Sequence, residues 1–164
     1  MRFLFRTVFY LAATIFAYGA DAETKQINIL KDAVSLEIPT NWKVFEKDGT
    51  KLLGPSEVNA VEIAYVELFE DDPKVAVNEE HLKKFIETHT LSTEIKRLPN
   101  GRLLGHALVK EDSGAAAHRW NVGKVIGKRG IAVVLFAYHP ATTSPDLARQ
   151  ILQVAKSVTF KSHK

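Results

Sequence analysis

The sequence contains no cysteine among its 164 residues and only one methionine. A disulfide-stapled scaffold is therefore excluded, and so is a lipid-anchored bacterial lipoprotein, which needs a cysteine after its signal. No dense run of lysine and arginine occurs, so nucleic acid is a poor candidate partner. After the first 22 residues no apolar run is long enough to span a bilayer. The remaining residues, about 140, are sufficient for a hydrophobic core without cross-links.

The first 22 residues have the pattern of a cleavable export signal. Arg2 and Arg6 precede an uncharged stretch, and Ala20-Asp21-Ala22 supplies the small residues that signal peptidase requires. We expect cleavage before Glu23. The alternative is a retained membrane anchor, for which the apolar stretch is short. The absence of cysteine and of any Asn-x-Ser/Thr site favours a bacterial protein that is periplasmic or secreted.

Cleavage would leave residues 23–164 as a single domain that is close to charge balance. Removing Arg2, Arg6 and Asp21 leaves 20 basic and 18 acidic residues, a net charge of +2. The composition, 46% hydrophobic and 25% charged, is that of a globular domain rather than a disordered chain. The scattered charges are therefore interpreted as a solvated surface.

Hydrophobic periodicity predicts a sheet with several strands. Residues 34–38 alternate between apolar and polar, which is typical of a half-buried strand. Residues 61–69 and 131–138 are apolar on both faces, so we expect both strands to be covered on both sides. The remaining predicted strands are residues 27–30, 42–45, 93–98, 102–111 and 117–126. Tight turns are predicted at Asp48-Gly49 and Pro99-Asn100-Gly101.

Two amphipathic helices are predicted after the signal. Asn78 is the expected N-cap of the first, and Ser144 followed by Pro145 opens the second. The expected buried stripes are Leu82, Phe85, Ile86 and His89 in the first helix and Leu147, Ile151, Val154, Ala155 and Val158 in the second. Hairpin-length connections make the later strands antiparallel. The predicted fold class is α+β, a three-layer α/β/α sandwich with a mostly antiparallel central sheet.

A segment near the start of the domain resembles a known family. Val34-Ser35-Leu36-Glu37-Ile38-Pro39-Thr40-Asn41-Trp42 resembles the opening of PsbP-like and Mog-type domains: an alternating strand, proline, then tryptophan at the next strand. The closing Ser157-Val158-Thr159-Phe160 is similar to the end of those domains, whereas Ala33-Val34 stands where they often have glycine and an aromatic residue. The resemblance implies an α/β/α sandwich over residues 23–164, partner binding rather than catalysis, and no catalytic set to carry over.

No motif predicts a catalytic residue, a cofactor or a metal. Cysteine, a Gly-x-Ser-x-Gly elbow and a His-Glu-x-x-His pair are all absent. His81 and His89 are eight residues apart and so differ by roughly 80° around a helix. Residues 123–130 have the glycines and lysine of a phosphate loop, but a strand follows them where that loop requires a helix.

The leading hypothesis is a non-enzymatic exported protein that recognises another protein through a sheet edge or loops. A small-molecule or lipid carrier with a pocket between sheet and helix is the first alternative. The second is a hydrolase in which His106, His118 or His139 converges with a carboxylate. Trp42 and Trp120 are interpreted as core residues. The expected binding surface comprises a cationic patch of Arg119, Lys124, Lys128 and Arg129, together with His118 and His139.

Overall fold

The computed structural model of the chain describes residues 23–29, 32–92, 94–110, 116–138 and 145–161. The predicted signal, the whole segment 111–115, His139 and Ser144 lie outside these ranges. The described residues form ten strands and two helices: β1 (Thr24–Ile29), β2 (Val34–Pro39), β3 (Lys43–Lys47), β4 (Thr50–Gly54), β5 (Val61–Phe69), α1 (Glu79–Thr90), β6 (Glu94–Leu98), β7 (Arg102–Lys110), β8 (Ala116–Ile126), β9 (Gly130–Tyr138), α2 (Pro145–Ser157) and β10 (Thr159–Phe160). No helix in this described part is long and apolar enough to cross a membrane.

The strands form two antiparallel sheets. The larger has seven strands in the order β3-β4-β5-β9-β8-β7-β6, and the smaller has the order β1-β2-β10. The α+β class with mostly antiparallel pairing is therefore confirmed. The sequence pattern indicated only a turn at Asp48-Gly49, whereas the structure adds the return strand β4 after it. Both turn residues have positive φ, 51° and 78°, which is the backbone that a two-residue hairpin loop requires.

The predicted N-cap of α1 is confirmed. The Asn78 side-chain oxygen accepts hydrogen bonds from the backbone N–H groups of Glu80 and His81, at 3.0 and 3.2 Å. Glu79 and Glu80 occupy the first turn, where the helix dipole favours acidic side chains. The start of α1 is thereby fixed by local chemistry.

One face of the large sheet, the α2 face, carries the main core. The odd-numbered residues at the start of β5 and the even-numbered residues of β8 and β9 point to this side, where they cluster with α2 and with β2 of the small sheet. Trp42 and Trp120, 1% and 4% exposed, are both buried in this cluster, as predicted. The buried side chain of Arg102 donates to the carbonyl oxygens of Lys156 and Val158, and so holds the C-terminal end of α2.

The opposite face, the α1 face, is only partly covered. A Cβ added at Gly123 would lie 2.6 Å from Leu82 Cδ1, and one at Gly105 would lie 2.5 Å from Ile86 Cγ2. These two glycines therefore let α1 approach β7 and β8 closely. A helix is about 10 Å wide and strands lie about 4.8 Å apart, so one helix covers about two strands. Beside it, the α1 face of β5 is open.

Two expectations are therefore wrong. Strand β5 is not covered on both faces, because Glu62, Ala64 and Leu68 are exposed on the α1 face while Val61 and Ile63 are buried on the other. His89 does not belong to the buried stripe of α1: it is exposed and its ring lies against Phe85, with the ring centroids 4.4 Å apart. Strand β9 matches its prediction far better, since seven of its nine residues are buried.

Candidate binding groove beside helix α1

A groove runs along the open part of the α1 face, where a central pocket adjoins two further cavities. The central pocket has a volume of about 210 Å³ and lies over β5, β9 and β8. It shares Thr50 and Glu62 with a cavity of about 350 Å³ beside the β3–β4 turn. It shares His89 with a cavity of about 360 Å³ between α1 and the end of β5. We call these three cavities together the α1 groove.

The floor of the central pocket is built from small and apolar residues. Ala64 and Leu135 are register partners on β5 and β9, and Ala137 continues the same face of β9. Their side chains are short or only half-buried, so the space above them is open to a ligand. The helix side of the pocket is lined by His89.

Two opposite charges flank this floor. Ala137 is the register partner of both Glu62 on β5 and Arg119 on β8, so the two charged residues lie on either side of one alanine. Their strands are two spacings apart, or about 10 Å. Among the described residues, neither side chain forms an ion pair within 4.0 Å. Both charges are thus available to a molecule lying over Ala137.

Asn121 is the most unusual side chain of the pocket. It is 2% exposed, yet its amide nitrogen Nδ2 has no hydrogen-bond partner among the described residues. An unsatisfied buried donor costs about 1–3 kcal/mol, and native structures contain few of them. Asn121 and Arg119 are two residues apart on β8 and therefore share the α1 face. Two side chains with nitrogen donors, Arg119 and the buried Asn121, therefore line the pocket beside its apolar floor.

The expected cationic patch is divided between different parts of the molecule. Lys124 pairs with Ala132 on the α2 face, whereas Arg119 is on the α1 face, because residues five apart in a strand point to opposite sides. The prediction that Arg119 and Lys124 belong to one patch is therefore wrong. His139 lies outside the described residues.

Lys128 and Arg129 occupy the β8–β9 turn and hold the β5–α1 loop. The Lys128 carbonyl oxygen accepts from the Val77 amide at 2.9 Å, and the Arg129 carbonyl accepts from the Glu70 amide at 2.8 Å. The Arg129 guanidinium also donates to the carbonyl oxygens of Glu70 and Asp71. The contacts of Arg129 are thus structural ones within the chain, and any role of either residue in binding a partner stays a prediction.

The structure brings His106 and His118 together on the α2 face. His106 Nε2 and His118 Nδ1 are 2.9 Å apart, a hydrogen bond between neighbouring strands β7 and β8. The two ring planes differ by 16°, and Trp120 lies 5.2 Å from each ring centroid. A single N–H···N bond requires one ring to donate and the other to accept, so the pair is compatible with two neutral imidazoles.

Burial lowers the pKa of both histidines below its usual range. For His106 the neighbouring His118 and Lys96 add to this lowering of the pKa, while the Glu94 carboxylate opposes it. Glu94 is the register partner of His106 on β6, but no described carboxylate forms a hydrogen bond with either ring. No group of three His, Cys, Asp or Glu side chains in the described ranges could hold a metal ion. The hydrolase alternative stays a prediction.

Comparison with known proteins leaves the family open. The chain matches no family model and no curated protein. A crystal structure from Bacteroides thetaiotaomicron VPI-5482 is similar over 84% of this chain, with 14% identity and a TM-score of 0.49; the chain spans 48% of that protein. The solution structure of cyanobacterial PsbP (CyanoP) from Synechocystis sp. PCC 6803 is similar over 88% of this chain and 96% of that protein, with 12% identity and a TM-score of 0.34.

These likenesses are too distant to assign the chain to a family. The PsbP-like resemblance therefore stays a prediction, and its Mog-type part has no support among these structures. The site must be interpreted from its own residues.

Sequence reasoning identified Arg119 but missed Glu62 and Asn121. One signal for Asn121 was available, since asparagine is disfavoured in strands and here stands between Trp120 and Val122 within a predicted strand. Glu62 had no comparable signal, because a charged residue on an alternating strand is ordinary. Only the register across β9 places it opposite Arg119.

Proposed function

We propose that the chain is an exported, non-enzymatic protein that binds a segment of a protein partner in the α1 groove. The observation that carries this proposal is the open α1 face of β5, with the unpaired donors Asn121 and Arg119 at its centre. Exposed apolar side chains also border the groove. Val58 and Leu68 are 78% and 42% exposed and line its two larger cavities. Exposed apolar side chains beside a concave site are typical of protein-binding surfaces.

Export is part of the proposal and has a separate test. The support is the charge and hydrophobicity pattern of residues 1–22. Expression of the full chain in a Gram-negative host should yield a periplasmic product whose N-terminus, determined by Edman degradation, is Glu23. A product that stays in the membrane fraction with Met1 intact would contradict cleavage.

The groove is tested by site-specific photocrosslinking followed by a binding measurement. A photoreactive amino acid at Leu68, on the α1 face, should crosslink a discrete polypeptide, which mass spectrometry identifies. The same substitution at Leu108, 60% exposed on the α2 face, is the matched control and should not crosslink it. The purified partner should then bind the Ala64→Trp variant, whose groove is filled, at least tenfold more weakly than wild type. Equal affinity for that variant would refute the groove as the binding site.

A small-molecule carrier is the second candidate, favoured by the central pocket between the sheet and α1. Its volume of about 210 Å³ is below the roughly 300–1,000 Å³ of ordinary ligand pockets, which favours a small ligand over a lipid. Native mass spectrometry of the purified chain decides this candidate. A co-purified mass that disappears in Ala64→Trp would support the carrier, and a bare chain would contradict it.

We also propose that the domain is a three-layer α/β/α sandwich in which the small sheet shares a layer with α2. The close contacts of α1 with Gly105 and Gly123 on one face, and the cluster of α2 with Val134 and Phe136 on the other, support this arrangement. Nuclear Overhauser effects from α1 to the methyl groups of Val133 and from α2 to those of Val134 would test it. Contacts of both helices with the same valine would refute it.

A further inference from the structure

The central pocket contains an unpaired buried donor that the fold itself does not use. Asn121 is 2% exposed and lines the pocket, and its Nδ2 lacks a partner in the described part of the chain. Because buried donors are almost always satisfied, a ligand acceptor over Leu135 is the natural partner of this amide. The first requirement on the ligand is therefore an oxygen acceptor.

Arg119 specifies the charge of that acceptor. Its guanidinium lines the same pocket on the same strand face and forms no ion pair with another described residue. A guanidinium fork beside an amide N–H matches the two oxygens of a carboxylate, because arginine binds carboxylates through two parallel hydrogen bonds. The donors thus fit a carboxylate better than a neutral carbonyl group.

Glu62 and the floor specify what is attached to the carboxylate. Glu62, on the other side of Ala137, is a hydrogen-bond acceptor that would repel a second negative charge and would accept an N–H group. Ala64 and Leu135 between them offer an apolar surface. A carboxylate, an N–H group and an apolar side chain are together the three substituents of an α-amino acid residue whose carboxylate is free.

The adjoining cavity indicates that this residue ends a longer chain. The pocket shares its lining residues Thr50 and Glu62 with the cavity of about 350 Å³ beside the β3–β4 turn, where Val58 is 78% exposed. A chain entering there would place its last N–H near Glu62 and its carboxylate near Arg119. A free amino acid would leave this larger cavity empty.

We propose that the central pocket binds the C-terminal residue of a partner polypeptide, with an apolar last side chain and its carboxylate held by Arg119 and Asn121. Capture of a terminal carboxylate is an established mode of peptide recognition. This inference rests on the proposed function, since it takes the partner to be a protein. It adds which part of the partner binds and with what chemistry.

The experiment compares two peptides on the mature chain, residues 23–164. Both are fluorescein-labelled six-residue Gly/Ser peptides that end in Val-Leu, one with a free carboxylate and one amidated. Fluorescence anisotropy should show at least tenfold tighter binding of the free acid. In the ¹⁵N spectrum, the side-chain amide signals of Asn121 should shift with the free acid and stay in place with the amide.

Variants on one strand provide the controls. Arg119→Gln should weaken binding of the free acid at least tenfold, and Arg119→Lys, which restores the charge, should recover part of it. Lys124→Gln removes a positive charge from the opposite face of the same strand and should leave the affinity unchanged. Asn121→Val should lose binding without a lower melting temperature, because its amide nitrogen has no partner to lose within the described chain.

The outcomes separate this inference from the function on which it rests. Equal binding of the amidated peptide, or equal losses in Arg119→Gln and Lys124→Gln, would overturn the C-terminal site, while crosslinking at Leu68 would still support the groove. Free leucine that binds as tightly as the peptide would also overturn it, in favour of a small ligand. Absence of both peptide binding and Leu68 crosslinking would refute the groove itself.

Discussion

Strands β5 and β9 are hydrogen-bonded neighbours with similar apolar sequences, but their environments differ. Val133 on β9 is 1% exposed beneath α1, whereas its register partner Val66 on β5 is only half-buried. At the end of β5, Leu68 is 42% exposed. The difference arises because α1, about 10 Å wide, lies over β7 and β8, contacts Val133 at the adjacent strand β9 and does not extend across the sheet. An apolar pattern on two faces therefore describes a strand's capacity for burial and does not ensure that a helix covers it.

The two phenylalanines of these strands give the largest expected difference. Phe136 on β9 is fully buried, and Phe69 at the end of β5 is 62% exposed. Phe136→Ala should lower the free energy of unfolding by about 3–5 kcal/mol, since it leaves a cavity in the core. Phe69→Ala should cost less than about 1 kcal/mol. Urea denaturation monitored by circular dichroism measures both, and equal losses would mean that Phe69 is buried as deeply as Phe136.

A matched pair of substitutions to valine sharpens the comparison across the α1 face. Gly123→Val would push against Leu82, so it should destabilise the domain by about 1–3 kcal/mol. Ala64→Val adds the same kind of bulk on the open side, where no helix lies above it, and should change stability by at most about 0.5 kcal/mol. Thermal unfolding by calorimetry distinguishes them. If Ala64→Val were the more destabilising change, the groove would have to be closed.

The histidine pair tests the covered α2 face through pH. Its pKa values are lowered by burial, so the unfolded chain binds more protons than the folded chain once the pH falls towards the ordinary histidine value of about 6.5. The stability present above that pH is then progressively lost as the pH falls to the folded pKa. Replacing both residues, as in His106→Gln/His118→Gln, should make the free energy of unfolding less dependent on pH between 7.5 and 5.5.

A single substitution on the open face is the control for this pH effect. His89→Gln, in the α1 groove, should leave the contribution of the histidine pair in place. Urea titrations at several pH values provide the measurement. A double variant with the same pH dependence as wild type would mean that the two imidazoles are not buried as a pair.

The smallest expected effect concerns an exposed ion pair that joins α1 to β6. Arg97 on β6 forms an ion pair with Glu79 in the first turn of α1, and their side chains are 73% and 43% exposed. Exposed pairs contribute about 0.2–1 kcal/mol, less at high salt. A double-mutant cycle with Arg97→Ala and Glu79→Ala should give a coupling in that range. A much larger coupling would mean that this pair, rather than the close contacts at Gly105 and Gly123, positions the helix.

Much of the local structure could be predicted because it depends on neighbouring residues. The turn at Asp48-Gly49, the cap at Asn78 and the hairpins on either side of β8 follow from side-chain chemistry and backbone preferences over a few positions. The candidate site could be predicted only in part. Arg119 was identified. The prediction that it forms one patch with Lys124 was wrong, because the two side chains point to opposite faces of β8.

The sequence by itself determined eight of the ten strands, the start of α1 and the antiparallel class, since periodicity and capping act within one segment. Only the tertiary structure decided that α1 leaves β5 open, that β10 joins β1 and β2 in a second sheet, and that Glu62, Ala137 and Arg119 share a row. These features depend on register and helix placement between segments far apart in sequence. The packing of the whole chain sets them, and no local pattern specifies it.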